Sequence, residues 1–415
     1  MCARAASMCA RCEGRMSSSE RLAASDELTS SMTPVTARRR VLVVDDSAFM
    51  RRLVSDVVQS SGEFEVVGTA RDGHDALRQV QVLNPDLITL DVDMPGLDGL
   101  SALTQIMREA PRPVVMLSAG TTHGGIDATL RALEAGAVDF VRKPSGAISL
   151  DLDLVRDQLL HALRGAAHAQ WRPSQPETRR STVMSSPLPQ LASPVATAHR
   201  ALGGAAGQAP RLVVAIAAST GGPAALARVI PQLPNWSDVA VVVVQHMPAG
   251  FTASFAQRLG AASRLRVAEA VADEPLRAGH VYIAPGGWHL RVRGPREQPR
   301  VALHDDAPLW GVRPAADYLF GSVAEVFGPQ ALGVVMTGMG RDGAQGLAAM
   351  QEAGAPVMVQ DAATCIIPGM PEAARRAAGL SGGVPLADLA TAIAQAVAQG
   401  QAPLAAPRTS PERDA

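Results

Sequence analysis

Val213-Val-Ala-Ile-Ala-Ala-Ser-Thr-Gly-Gly-Pro223 is the run on which the reading of this chain turns. An apolar, partly β-branched strand ends on a hydroxyl residue, and two glycines and a proline follow at once. Beyond them Ala224-Ala-Leu-Ala-Arg-Val-Ile230 has the spacing of a helix. A strand that stops at Ser219 and turns into a helix presents that serine at the carboxyl end of a sheet. Open α/β folds bind their ligands there. Glycines at such a turn let the backbone approach a substrate and aim N–H groups at it. Taken alone, the run is equally well explained as a plain β–α turn with Ser219 as helix cap.

The surrounding chain narrows the choice. A length of 415 residues suggests two or three domains, and 47% hydrophobic content is ample for their cores. A net charge of −1 and 3% aromatic residues offer nucleic acid neither a field nor stacking surfaces, so no nucleic-acid partner is expected. No apolar run reaches the roughly 20 residues of a membrane helix, so no membrane insertion is expected either. Cys2, Cys9 and Cys12 fall in a stretch without core patterning, and Cys365 is the fourth cysteine. Cys9-Ala-Arg-Cys12 has knuckle spacing without a second ligand pair nearby. Folded regions nearly free of cysteine suit a reducing cytoplasm, the expected location.

Five regions are expected. Residues 1–39 read as a disordered extension. Residues 40–165 alternate short apolar strands (Val41–Asp45, Glu65–Thr69, Leu87–Leu90, Val114–Leu117, Phe140–Val141) with helical stretches, which makes a parallel sheet covered on both faces. Residues 166–210, rich in Pro, Ser, Ala, Gln and Thr, read as a linker. Residues 211–400 resume the alternation, with a middle group around Val281–Ala284, His289–Val292 and Val301–Leu303 close enough to form hairpins. Residues 401–415 read as a frayed tail. The fold class is therefore α/β, with two doubly wound parallel-sheet domains joined by a linker and a β-hairpin in the second.

In the first domain Asp45-Asp46 ends the first strand, Asp91 the third, Ser118 the fourth and Lys143-Pro144 the fifth. Three carboxylates on one sheet edge repel each other unless a cation sits among them, and hard oxygen ligands favour Mg2+. A carboxylate beside Mg2+ can accept a phosphoryl group. Acidic helix caps would explain one or two of these residues, not five at successive strand ends. Val44-Asp-Asp-Ser47, Leu90-Asp-Val-Asp-Met-Pro95, Asp98-Gly99, Ser118 and Lys143-Pro144 resemble the response-regulator receiver domain. The resemblance implies phosphorylation of Asp91 by a histidine kinase. It implies Mg2+ held by Asp46, Asp91 and the Asp93 carbonyl, with Asp45 in support. Ser118 and Lys143 would report the phosphate, with Phe140 as the aromatic switch.

In the second domain a strand over Val239–Gln245 runs into His246-Met-Pro248, and one over Ala331–Met336 into Thr337-Gly-Met-Gly-Arg-Asp-Gly343. Ser219, His246 and Asp342 thus lie in strand-to-helix loops that a parallel sheet gathers on one edge, as nucleophile, base and orienting acid require. Glycines around Asp342 free N–H groups for an oxyanion. Singly, His246 reads as a turn residue and Asp342 as a helix cap. A competing reading is a nucleotide-binding, non-hydrolytic output domain. Gly338-Met-Gly-Arg-Asp-Gly343 is a GxGxxG match with Asp361 some 20 residues on, though its strand comes late and His246 is left unexplained. A DNA-binding output would need a basic recognition helix, and none is seen.

Ile216-Ala-Ala-Ser-Thr-Gly-Gly-Pro223, Gln245-His-Met-Pro248 with Phe251-Thr252, Tyr282-Ile-Ala-Pro-Gly286, Arg313-Pro314, Thr337-Gly-Met-Gly-Arg-Asp-Gly343 and Gly369-Met-Pro371 resemble the chemotaxis protein-glutamate methylesterase family, CheB. The resemblance implies a Ser219–His246–Asp342 triad, with Thr220 and Met339 shaping the oxyanion pocket. It implies hydrolysis of γ-glutamyl methyl esters on methyl-accepting chemoreceptors and deamidation of receptor glutamine, with no cofactor for hydrolysis. It also implies a kinase of the chemotaxis type as phosphodonor, and a receiver that covers the Ser219 edge until Asp91 is phosphorylated. Ala217, Ala315 and Ile367-Pro368 depart from the family's usual residues without touching the triad.

Overall fold

The computed structural model of the chain describes residues 38–119, 123–144, 151–169 and 208–400. The expected extension, most of the expected linker and the expected tail lie outside the described residues. Among those described, no helix is long and apolar enough to cross a membrane.

The first sheet comprises β1 (Arg39–Val44), β2 (Phe64–Ala70), β3 (Leu87–Asp91), β4 (Val114–Ser118) and β5 (Asp139–Arg142), ordered β2-β1-β3-β4-β5. Every pairing is parallel. The helices α1 (Ala48–Ser60), α2 (Gly73–Leu83), α3 (Gly99–Glu109), α4 (His123–Glu134) and α5 (Asp151–His168) follow the strands in turn. Helix α5 continues through His168, past the point where the sequence composition turns linker-like. Its Ala166 is packed in the core, and alanine-rich turns do not announce that in sequence. Because β1 pairs directly with β3, Asp45 and Asp91 leave the sheet side by side.

The second sheet is ordered β13-β12-β6-β7-β9-β8. Its strands are β6 (Leu212–Ala218), β7 (Val239–Gln245), β8 (Arg266–Glu269), β9 (His280–Ile283), β12 (Ala331–Val335) and β13 (Val357–Val359), all parallel. Helices α6 (Gly222–Val229), α7 (Phe251–Ala262), α8 (Ala316–Phe327), α9 (Ala344–Glu352), α10 (Gly369–Ala377) and α11 (Leu386–Gln399) cover it. All seven residues of β6 are buried, as its unbroken apolar run requires. The antiparallel pair β10 (His289–Arg293) and β11 (Arg300–His304) is the hairpin expected in the middle group. β9, from the same group, joins the main sheet instead. β8 was not anticipated: Arg-Val-Ala-Glu is a short edge strand without an apolar face.

Strand order fixes the site. β7 and β12 flank β6 on opposite sides, with Ala217 in register with Val244 and with Val335. The chain leaves β6 to opposite sides at this point, which opens a crevice at the carboxyl ends of the strands.

One glycine is dictated by the path of the chain. After β3 the backbone doubles back, and Gly99 N donates to Val92 O at 3.0 Å. A Cβ on Gly99 would lie 1.9 Å from the Asp91 carbonyl oxygen. We expect Gly99→Ala to destabilise the first domain by about 2–4 kcal/mol, because rigid backbone must shift. Urea unfolding followed by circular dichroism measures this, and a change below about 0.5 kcal/mol would contradict the packing account.

Candidate active site

Ser219 follows β6 directly, and backbone bonds tie it to both neighbouring loops. Ser219 N donates to Thr337 O at 3.0 Å, and His246 N donates to Ala218 O at 3.1 Å. The buried amide of Gln245 donates from Nε2 to Ser219 O and to His246 O, each at 3.0 Å. Gly338 backs onto the serine: a Cβ there would lie 2.7 Å from Ser219 Cβ.

His246 and Asp342, 96 positions apart, meet at 2.7 Å between Nε2 and Oδ2. The carboxylate accepts, so Nε2 carries the proton and Nδ1 is the nitrogen left to accept one. Asp342 Oδ2 also accepts from Ala316 N at 2.6 Å, and Oδ1 accepts from Asp317 N at 3.1 Å and Gly343 N at 2.9 Å. Those first two amides open α8, whose N-cap residue Ala315 supplies no capping side chain. Asp342 therefore caps α8 from outside and gains from its dipole. Burial works to raise its pKa, but the His246 contact and the amides more than offset this and hold the carboxyl below its usual range. The result is an anion fixed in place against an imidazole. Among the described residues the Ser219 hydroxyl takes no hydrogen-bond partner, an arrangement common before substrate binds. Met339 is half-buried between Gly338 and Gly340 on the same loop as Asp342.

The same geometry disfavours a dinucleotide fingerprint at Gly338–Gly343. Asp342, inside the fingerprint, is spent on His246 and α8. Asp361 caps its own short turn by accepting from Ala363 N at 2.7 Å.

The other predicted cluster also assembles. Asp45, Asp46 and Asp91 offer oxygens that all lie within 4.8 Å of one another. Lys143 Nζ bridges Asp45 Oδ2 and Asp91 Oδ1 at 2.7 Å each. Asp91 Oδ2 is buried with no hydrogen-bond partner, which suits a carboxylate awaiting a cation or a phosphoryl group. Burial outweighs the Lys143 contacts and pushes the Asp91 carboxyl up to about 6. Asp93 N donates weakly to Asp91 Oδ1 at 3.4 Å, and the Asp93 side chain is exposed. Ser118 is buried and accepts from Thr129 Oγ1 at 2.8 Å.

The two sites share one interface. Phe140 packs on Phe251 of α7, ring centroids 4.5 Å apart. The preceding residue, Asp139, accepts a hydrogen bond from Thr220 Oγ1 at 2.6 Å, one position from Ser219. Desolvation raises the Asp139 pKa, with His161 of α5 and His246 acting in the opposite sense nearby. In α5, a Cβ on Gly165 would lie 2.9 Å from Ile367 Cδ1 and 3.6 Å from Thr220 Cγ2. Arg258 of α7 pairs with Glu134 at 2.6 Å and Asp127 at 2.8 Å, both on α4. Sequence reasoning missed Asp139, Gln245 and Arg258 as contributors. Asp139 stood beside Phe140 and Gln245 opened the Gln245-His-Met-Pro248 run, whereas Arg258 carried no signal.

Residues 214–393 match the CheB methylesterase family and residues 41–153 the response regulator receiver domain. A protein-glutamate methylesterase/protein-glutamine glutaminase of Symbiobacterium thermophilum is 45% identical over 87% of this chain and 98% of its own length. One of the same name from Pyrococcus abyssi is 42% identical over 88% of this chain and 95% of its own. The CheB methylesterase catalytic domain of Thermotoga maritima is 36% identical, covering 44% of this chain and 97% of that one, with a TM-score of 0.43. A receiver sheet joined to a second parallel sheet with an assembled His–Asp pair defines a receiver-coupled hydrolase. The chain belongs to the CheB family of protein-glutamate methylesterases/protein-glutamine glutaminases.

The Asp91 carboxyl gives a pH prediction. Its pKa in the fold, about 6, exceeds the usual 3.8, so the folded state binds the proton more tightly. Without metal, stability conferred by this group is full below about pH 4 and lost as pH rises through 6, by at most about 3 kcal/mol. Thermal unfolding in chelator from pH 4 to 7 should show that loss, and Asp91→Asn should flatten it. An identical slope in the variant would contradict the assignment.

Proposed function

We propose that this chain is a phosphorylation-gated esterase whose triad is Ser219, His246 and Asp342. Its substrates would be γ-glutamyl methyl esters on chemoreceptors, and receptor glutamines. The observation that carries this reading is the fixed His246–Asp342 pair beside a serine tied to the same loops. Ser219 Oγ attacks the ester carbonyl while His246 Nδ1 takes its proton. Asp342 stabilises the imidazolium that forms. The backbone N–H groups at Thr220 and Met339 would receive the oxyanion. The C–O bond breaks, and His246 returns the proton to departing methanol. Water then attacks the acyl-enzyme with His246 as base, releasing glutamate and free Ser219. A glutamine side chain takes the same route with ammonia as leaving group.

Gating would run through Asp139. By engaging Thr220, it holds a receiver strand over the nucleophile's loop. Phosphorylation of Asp91 by a histidine kinase would recruit the Ser118 hydroxyl and Lys143 and repack Phe140, one residue from Asp139. Mg2+, held by Asp46, Asp91 and the Asp93 carbonyl with Asp45 in support, would supply charge neutralisation for phosphoryl transfer. The orphaned Asp91 Oδ2 supports that fit. The enzyme would act in the cytoplasm on receptor segments that reach it there.

Ser219→Ala should accept phosphate normally and lose at least about a thousandfold in methanol release from methylated receptor membranes. Substantial remaining turnover would remove Ser219 from the nucleophile's role. Asp139→Ala should raise methanol release by unphosphorylated enzyme several-fold, to about the rate phosphorylation gives. An unchanged basal rate would contradict gating through Thr220.

A further inference from the structure

The residue before Asp342 is an exposed arginine that the proposed mechanism does not use. The Arg341 guanidinium lies over the Trp310 indole, with its central carbon 3.8 Å from the ring centroid. Among the described residues its side chain makes no ion pair or hydrogen bond, only the contact with Trp310. The cation–π contact holds the guanidinium in place without using any of its N–H groups in a hydrogen bond.

Trp310 is held for this position. Leu309 and Val312 exchange backbone hydrogen bonds at 3.2 and 3.1 Å, closing a two-residue turn on Trp310-Gly311. Both turn residues are left-handed, with φ of +57° and +80°. Asn or Asp suits the first of those positions, and a tryptophan there is strained. The strain is sustained by the indole Nε1, which donates to Asp317 Oδ2 at 2.8 Å. Asp317 in turn gives its N–H to Asp342. Platform and cation are therefore built on the carboxylate that orients His246. The turn also borders an open cleft of 340 Å³ between the two domains, beside Arg313 and the Pro248-Ala249 loop. Backbone strain of this kind clusters at binding and catalytic sites.

We propose that Arg341, held by Trp310, is a specificity-determining residue that pairs with a carboxylate on the substrate segment close to the ester being cleaved. The ester side chain is neutral and supplies no charge of its own. Each turnover leaves a carboxylate, so a substrate with several such sites becomes more anionic as reaction proceeds. Arg341 would then favour esters next to free carboxylates over isolated or uncharged ones. Its exposure means that the charge acts chiefly through encounter and KM and is screened by salt.

The proposal rests on the esterase reading and is tested with the full chain activated by a small phosphodonor. Two substrates are compared: membranes carrying methyl-esterified receptor, and an uncharged, blocked glutamate γ-methyl ester. In Arg341→Ala the ratio of receptor kcat/KM to small-ester kcat/KM should fall about tenfold, carried by KM. Arg341→Glu should lower it further, and Arg341→Lys should recover part. About 0.5 M salt should erase most of the difference between wild type and Arg341→Ala. An unchanged ratio, or equal losses on both substrates, would overturn the proposal. Wild-type protein that releases no methanol from either substrate would overturn the esterase reading, and this proposal with it.

Discussion

The level, parallel pairing of β6 with β7 on one side and β12 on the other is the constraint on which the rest depends. Residues 219, 246 and 342 are far apart in the chain, and local structure cannot bring them together. A central strand with both neighbours in register does so by topology, at the carboxyl edge where the chain turns into helices. Burial of all of β6 makes the register costly to slip, since a one-residue shift would turn each side chain to the other face. Within that frame Asp342 is set by four hydrogen bonds, two of them from the first amides of α8. An acid so placed cannot follow the imidazole if it moves, so the imidazole is held to the acid.

The receiver side is governed by smaller energies. The ion pairs of Arg258 with α4 are partly exposed and contribute little each. The Thr220–Asp139 hydrogen bond and the Phe140–Phe251 contact are better shielded and stabilise more, on the order of 1 kcal/mol each. An interface of this strength suits a gate. Joined in one chain, the domains meet at high effective concentration, so a change of a few kcal/mol suffices to move the equilibrium from covered to open. The two contacts lie on adjacent residues of β5, so repacking Phe140 cannot leave Asp139 undisturbed.

Much of this was legible in the sequence because strand ends are. Long apolar runs broken by Ser-Thr-Gly-Gly-Pro, His-Met-Pro and Thr-Gly-Met-Gly announce both the sheet and the loops that carry chemistry. The phosphoacceptor cluster was legible for the same reason, and all its members end strands. Contributors whose roles depend on three-dimensional partners were not legible. Asp139 is an ordinary strand residue until Thr220 lies opposite it. Gln245 reads as a polar strand end and proves to tie two loops together. Arg-Val-Ala-Glu lacks the pattern of a strand because β8 borrows its order from β9. The Trp310 platform was hidden because nothing in Leu-Trp-Gly-Val foretells a left-handed tryptophan.

The central claim is an activated serine that the receiver covers and phosphorylation uncovers. A fluorophosphonate that labels only activated serines tests both halves at once, with peptide mass spectrometry locating the adduct. The account predicts labelling at Ser219 that is slow in the unphosphorylated full chain and several-fold faster once Asp91 carries phosphate. Labelling at another residue, or at a rate indifferent to phosphorylation, would contradict it.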